Sequence, residues 1–191
     1  MLRIVNLEEV QGMLRRIPDL VDLQERRIPG FGEEVKRWLV ALEKVLDNNR
    51  MPVAGNVAAL RAMLISAERG VIPAGVAVHG RMTRKKIEQA TATLVLHQIS
   101  DMISDVVLPD VQRIAEAERL TRQLVALGKA KGLVKPPPSD GERTENLSVL
   151  WRTLAADPDV AGGTVNVEGL VGPNDALVIL DRMIVRDVRA E

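Results

Sequence analysis

Apolar residues recur every three or four positions along much of the chain, which is the spacing of one face of an α-helix. The most regular stripe contains Val35, Trp38, Leu39, Leu42, Val45 and Leu46. Glu33 and Glu34 lie just before it, where the positive end of the helix dipole favours carboxylates. A second stripe covers 57–67, and Gly70 after it is a typical helix terminator. These patterns predict a bundle of amphipathic helices in the N-terminal part of the chain.

The longest helical pattern covers residues 83–131, and only Pro109 interrupts it. Proline has no N–H to donate, and its ring clashes with the preceding turn of a helix. We therefore expect the helix to kink or break at Pro109. If the chain reversed there, the two arms would form an antiparallel pair and the two ends of the segment would meet.

A proline-rich segment, KPPPSDGERTE at 135–145, separates this helical region from the remainder of the chain. Consecutive prolines cannot continue a helix, and they favour an extended conformation. The composition also becomes acidic in this segment. We therefore predict a helical bundle domain over 1–134, a linker over 135–145 and a small acidic module over 146–191.

The C-terminal module has a mixed pattern. Its first part predicts one amphipathic helix on the residues Leu147, Leu150, Trp151 and Leu154. In 164–171, Val165 and Val167 alternate with polar residues, as in a β-strand. The run ALVIL at 176–180 fits either a short helix capped by Asp175 or a buried second strand, and we favour the strand. The predicted fold class is therefore mainly α, with a long Pro-kinked helical segment and a small C-terminal α+β module.

Composition narrows the class of protein further. Hydrophobic residues make up 46% of the chain and charged residues 27%, as in globular domains. Phe31, Trp38 and Trp151 are the only aromatic residues, so aliphatic side chains must build the core. Cysteine is absent, which excludes disulfides and thiolate chemistry. No apolar run reaches the roughly 18–20 residues of a transmembrane helix, and the first residues do not resemble a signal peptide. We expect a soluble, cytoplasmic protein.

The formal net charge of zero conceals an asymmetry along the chain. Residues 1–137 contain 21 Lys and Arg against 16 Asp and Glu, whereas residues 138–191 contain 5 against 10. Two regions of charge +5 and −5 could attract each other within one chain or between chains. Two separately solvated surfaces are the simpler interpretation, and we favour it.

One helical stretch, HQISDMISD at 97–105, places His97, Asp101 and Asp105 on a single face. One histidine and two carboxylates are competent zinc or iron ligands. Positions i, i+4 and i+8 of a straight helix, however, spread over about 12 Å, so at most two of them could reach one ion. The opposite face is apolar and contains Val95 and Ile99. We interpret the stripe as a solvated face, and we expect no metal, cofactor or catalytic residue. We interpret His79, the other histidine, as structural.

Two basic clusters flank the long helical segment. The first contains Arg81, Arg84, Lys85 and Lys86, and the second contains Lys129 and Lys131, followed by Lys135. Cations at the C-terminal end of a helix are favoured by its dipole, so the second cluster needs no ligand. Cations at the N-terminal end are not favoured in this way. We therefore predict that the clusters, and the first one above all, bind phosphates or another anionic partner.

The remaining motifs are too weak to indicate an enzyme. The glycine-containing segments match neither a phosphate-binding loop nor a dinucleotide-binding fingerprint, and no nucleophile elbow occurs. We expect a non-enzymatic assembly or adaptor protein that self-associates through its long amphipathic helices and presents a C-terminal interaction module. Its expected partner is a second copy or another protein, without a membrane or a small-molecule substrate. The alternative is a nucleic-acid-binding accessory protein that uses the basic cluster at 81–86.

Overall fold

A computed structural model of the chain describes residues 1–76, 83–134 and 143–188, the side chains of 143–145 and 185–188 excepted. Within these ranges all regular secondary structure is α-helical, so the predicted mainly α class is confirmed. The helices are α1 (Ile4–Leu14), α2 (Ile17–Glu25), α3 (Phe31–Asn48), α4 (Ala54–Glu68), α5 (Arg84–Ala130), α6 (Arg143–Ala156), α7 (Ala161–Val171) and α8 (Pro173–Val188). None of the helices in the described part is long and apolar enough to cross a membrane.

The chain divides into two compact units, and the division falls inside α5 between Leu108 and Pro109. The N-terminal unit contains Leu2 and Ile4–Leu108. The C-terminal unit contains Pro109–Glu191 together with Met1 and Arg3. The boundary that the sequence predicts at 135–145 falls mostly outside the described residues, and it stays a prediction.

Helix α3 is the centre of the N-terminal unit, where it packs against α1, α2 and α4. The predicted stripe is buried except for the half-buried Val45, and Trp38, Leu39 and Leu42 are at most 2% exposed. The Trp38 indole Nε1 donates a hydrogen bond to the carbonyl oxygen of Met13 at 3.1 Å. Met13 lies in the last turn of α1, and its carbonyl also accepts the backbone N–H of Arg16 at 3.2 Å. Trp38 therefore fills the core and links α3 to the end of α1.

The first half of α5 buries one continuous face in the N-terminal unit. Ile87, Val95, Ile99 and Ile103, each four or eight residues from the next, are at most 5% exposed. Thr91 lies on the same face, and its Oγ1 donates to the Ile87 carbonyl at 2.8 Å, so its burial leaves no unsatisfied hydroxyl. The four-residue spacing predicted this helix correctly.

Pro109 lies inside α5, so the helix does not break there, and a kink at this position stays a prediction. One proline removes one backbone hydrogen bond, and helical structure can continue when the flanking turns are held by other contacts. Val107 before the proline and Ile114 after it are both buried, each in its own unit. The helix continues through Pro109, with Arg84, Lys85 and Lys86 in its first turn and Lys129 in its last.

The predicted C-terminal α+β module is wrong, because 164–171 lies in α7 and 176–180 lies in α8. Val165 is 67% exposed whereas Val167 is completely buried. In a strand these two residues would share a face, and on a helix they point about 200° apart. The buried residues of α7 and of the turn before it follow helical spacing: Val160, Thr164, Val167 and Val171. The buried residues of α8 do the same: Ala176, Ile179, Leu180, Met183 and Ile184.

The end of α5 packs against the C-terminal helices through two glycines. A Cβ atom at Gly128 would lie 2.7 Å from Leu154 Cδ2, and one at Gly163 would lie 2.4 Å from Leu124 Cδ2. Both distances are too short for a side chain, so glycine permits the close approach. Residues 109–134 therefore belong with α6, α7 and α8. Whether 135–145 acts as a linker stays a prediction, since most of it lies outside the described residues.

Candidate functional site

The basic cluster at the start of α5 is exposed to solvent. Arg84, Lys85 and Lys86 form the first turn, which contains no acidic residue, and Arg81 lies outside the described residues. Thr83 precedes the helix, and its Oγ1 accepts the N–H of Lys86 at 3.3 Å. Because the free N–H groups of a helix N-terminus carry partial positive charge, three adjacent cations raise the positive potential there. The exposure of these cations is compatible with anion binding, which stays a prediction.

The other end of α5 has a different role. The ammonium Nζ of Lys131 lies 2.6 Å from Asp157 Oδ1 and 2.5 Å from Asp159 Oδ2, in the turn between α6 and α7. The hydrogen bond to Asp157 is the main reason that the pKa of Lys131 is raised, and the same bond lowers the pKa of Asp157. Lys131 is thus bound within the C-terminal unit, and Lys129 in the last turn of α5 is exposed. The sequence did not identify Asp157 as the partner of Lys131, because the two residues are 26 positions apart.

The stripe of His97 and its aspartates faces solvent. The side chains of His97 and Asp101 are 77% and 66% exposed, and His97 Nε2 lies 3.6 Å from Asp101 Oδ2. Asp105 is also exposed. Among the residues whose side chains the structure describes, no group of three or more His, Cys, Asp or Glu could hold a metal ion. The stripe has the geometry of a solvated helix face, and His79 lies outside the described ranges.

An ionic network connects α3, α4 and α5 in the N-terminal unit. Lys36 Nζ pairs with Glu33 at 2.5 Å and also with Glu68. The Glu88 carboxylate lies against the backbone of α3, and a Cβ at Gly32 would stand 1.8 Å from its Oε1. Burial raises the pKa of Glu88, and the negative charge of Glu68 raises it further. This network could not be predicted from the sequence, because its four side chains come from three helices.

A shallow groove of about 580 Å³ runs between α5 and α7 in the C-terminal unit, and is lined by Glu116, Leu120, Val165, Asn166, Gly169 and Leu170. Val165 is 67% exposed, the largest exposed fraction among the large apolar residues of this unit's described helices. Arg119 neutralises the carboxylate at the rim: its Nε and Nη2 lie 2.8 and 2.6 Å from the Glu116 oxygens. The groove therefore combines apolar surface with a rim whose charge is already paired. Sequence reasoning missed it because 164–171 was taken for a strand.

The same face of α7 contains two glycines that packing within the chain does not explain. A Cβ at Gly162 or at Gly169 would meet nothing within 4 Å. Glycine inside a helix costs roughly 0.5–1 kcal/mol relative to alanine. At Gly163, in contrast, a Cβ would force the Leu124 side chain to move. The outer face of α7 is thus unusually flat beside the Val165 side chain.

Comparisons of the chain with protein-family models, with curated proteins and with solved structures find no match.

Proposed function

We propose that this protein is a non-enzymatic assembly or adaptor protein, and that it self-associates through the groove between α5 and α7. The observation that carries the proposal is Val165, whose side chain is 67% exposed on a helix that otherwise buries its valines. Leu120 and Leu170 line the groove beside it. An exposed apolar group next to an apolar depression is the surface that a symmetric pair of copies can cover mutually.

The proposed contact is isologous, so that Val165 of each copy enters the groove of the other. In such a contact the flat surface at Gly162 and Gly169 allows the two α7 backbones to approach closely. The pairing of Glu116 with Arg119 supports the same arrangement. It means that covering the rim does not bury an uncompensated carboxylate, which would be costly.

The experiment compares two substitutions of exposed valines in the C-terminal unit. Val165→Glu places a charge in the groove, whereas Val149→Glu places one on α6, where Val149 is 48% exposed and does not line the groove. Sedimentation velocity of the full chain should show dissociation for Val165→Glu and the wild-type distribution for Val149→Glu. Equal behaviour of both variants would reject the groove as the interface.

A nucleic-acid-binding accessory protein is the second candidate, and the exposed Arg84, Lys85 and Lys86 favour it. Lys131 no longer supports this function, because Asp157 and Asp159 bind it. Without Lys131, fewer cations remain to contact phosphates. A duplex titration at two salt concentrations tests this candidate, since phosphate contacts weaken steeply as salt rises.

A further inference from the structure

Two apolar side chains are exposed immediately after α4. Val71 and Ile72 are 56% and 44% exposed. Gly70 adopts a left-handed conformation with φ of 92°, and the Val71 N–H donates to the carbonyl of Ser66 at 3.2 Å. This pattern closes the helix and directs the chain away from it. The turn therefore holds two adjacent β-branched residues in solvent. Single exposed apolar residues are common. The neighbouring side chains therefore indicate whether Val71 and Ile72 form a binding surface.

Basic side chains surround this turn. Arg69, which directly precedes Gly70, is exposed. The Cγ and Nε atoms of Arg84 lie 3.7 and 3.8 Å from where a Cβ of Gly70 would stand, so the Arg84 side chain runs alongside the turn. Lys85 follows Arg84 and is exposed. Within the described ranges, none of Arg69, Arg84 and Lys85 forms a salt bridge.

The position of these cations at the helix start is unfavourable within the unit itself, although Lys85 attracts the Glu88 carboxylate on the same helix. Arg84 and Lys85 stand at the N-terminal end of α5, where the helix dipole repels positive charge. The acidic residue nearest the turn along the chain, Glu68, pairs with Lys36. An anionic partner would relieve the repulsion among the cations, and the proximity of Arg84 to Gly70 places that partner beside Val71 and Ile72.

The apolar pair distinguishes between two kinds of phosphate-bearing partner. A nucleic acid offers phosphates and base faces, and proteins bind its single strands by stacking aromatic side chains. The turn offers aliphatic side chains, and both aromatic residues of the N-terminal unit, Phe31 and Trp38, are buried. A bilayer with anionic headgroups offers phosphates directly above hydrocarbon, which accepts valine and isoleucine.

We propose that the turn at Val71 and Ile72, with Arg69, Arg84 and Lys85, is a contact surface for an anionic lipid bilayer. The two apolar side chains enter the headgroup layer, and the three basic side chains bind lipid phosphates around them. We expected no membrane partner because no apolar run in the sequence is long enough to span a membrane. A surface contact of this kind needs no spanning helix.

The test is co-sedimentation of the full chain with vesicles at low ionic strength. Wild type should bind vesicles made of equal parts phosphatidylcholine and phosphatidylglycerol, and not vesicles of phosphatidylcholine alone. Each basic residue near an anionic surface strengthens binding roughly fivefold, so the double variant Arg84→Gln, Lys85→Gln should bind about 25-fold more weakly. The variant Val71→Ser, Ile72→Ser should lose about tenfold or more, because two apolar side chains no longer leave water.

The matched control is Val40→Ser, Lys44→Gln on the exposed face of α3, where Val40 is 52% exposed. It removes the same kinds of side chain elsewhere in the same unit and should bind like wild type. Circular dichroism of every variant verifies that the fold is retained. Absence of wild-type binding to the anionic vesicles, or an equal loss in the control, would overturn the proposal. Tight binding of duplex DNA that needs Arg84 and Lys85 but not Val71 and Ile72, without vesicle binding, would assign the surface to nucleic acid instead.

Discussion

Lys131 Nζ lies 2.6 Å from Asp157 Oδ1, and this ion pair joins the end of α5 to the turn between α6 and α7. Asp157 Oδ1 also accepts the backbone N–H of Asp159 at 3.0 Å, which organises the turn around the lysine. Lys131 was predicted from its charge to bind an anionic partner. In the structure it instead forms an ion pair within its own unit.

The first prediction concerns this pair. Lys131→Met should lower the free energy of unfolding of the C-terminal unit at neutral pH, because the two aspartates lose their shared cation. The folded-state pKa of Asp157 is below its ordinary value of 3.8. The stabilisation is therefore present above pH 3.8 and is lost as the pH falls through the lowered pKa. Urea unfolding followed by Trp151 fluorescence in a Trp38→Phe background measures the effect.

The control for this prediction is Arg122→Met, which removes another exposed cation of α5. It should leave the unfolding midpoint close to that of the parent at each pH. A Lys131→Met variant that matched the parent at neutral pH would show that the ion pair does not contribute to stability.

The second prediction separates the two valines of α7. Val167→Ala should destabilise the C-terminal unit by about 1–3 kcal/mol, because Val167 is completely buried. Val165→Ala should change the stability by no more than about 0.5 kcal/mol at concentrations where the protein is a monomer, since Val165 is exposed. Chemical denaturation of the two variants side by side gives both values. Equal losses would place the valines on one face, as in a strand.

The third prediction concerns the carboxylate of Glu88 in the N-terminal unit. Burial is the main cause of its raised pKa, and Glu68 adds to it. Its folded-state pKa exceeds the ordinary value of 4.5, so protonation favours the folded state. The contribution of the Glu88 carboxyl to the free energy of unfolding should increase as the pH falls from neutral through the raised pKa. It should reach its full value below pH 4.5.

Glu88→Gln should therefore stabilise the N-terminal unit at neutral pH and flatten its dependence on pH between neutrality and 4.5. Thermal unfolding followed by Trp38 fluorescence in a Trp151→Phe background is the measurement. Glu25→Gln, which alters an exposed carboxylate of α2, should do neither. A neutral-pH destabilisation by Glu88→Gln would mean that the attraction of Lys36 outweighs the cost of burial.

Helix α3 was predictable because its large apolar residues repeat with helical spacing and its remaining positions are polar. Helix α7 was not, because Val165 and Val167 happen to alternate and valine, threonine and glycine all lower helix propensity. Burial of Val160, Thr164, Val167 and Val171 against other helices selects the helix. Such tertiary contacts cannot be read from a window of eight residues.

Some features of the candidate surfaces were also predictable from the sequence, and others were not. Exposure of Arg84, Lys85 and Lys86 followed from their charge and their position at a helix start. The partner of Lys131 did not, because Asp157 is 26 residues away and only the fold brings it close. The exposure of Val71 and Val165 was equally inaccessible, since an apolar residue is expected to be buried until its neighbours are known.

If the wild-type chain self-associates, its mass in solution rises with concentration. Sedimentation equilibrium or light scattering should be recorded across a wide series of concentrations. The mass of one chain is 20.9 kDa, and we expect the measured mass to rise toward twice that value as the concentration increases. A mass that stays at 20.9 kDa over the whole series would contradict the proposed function.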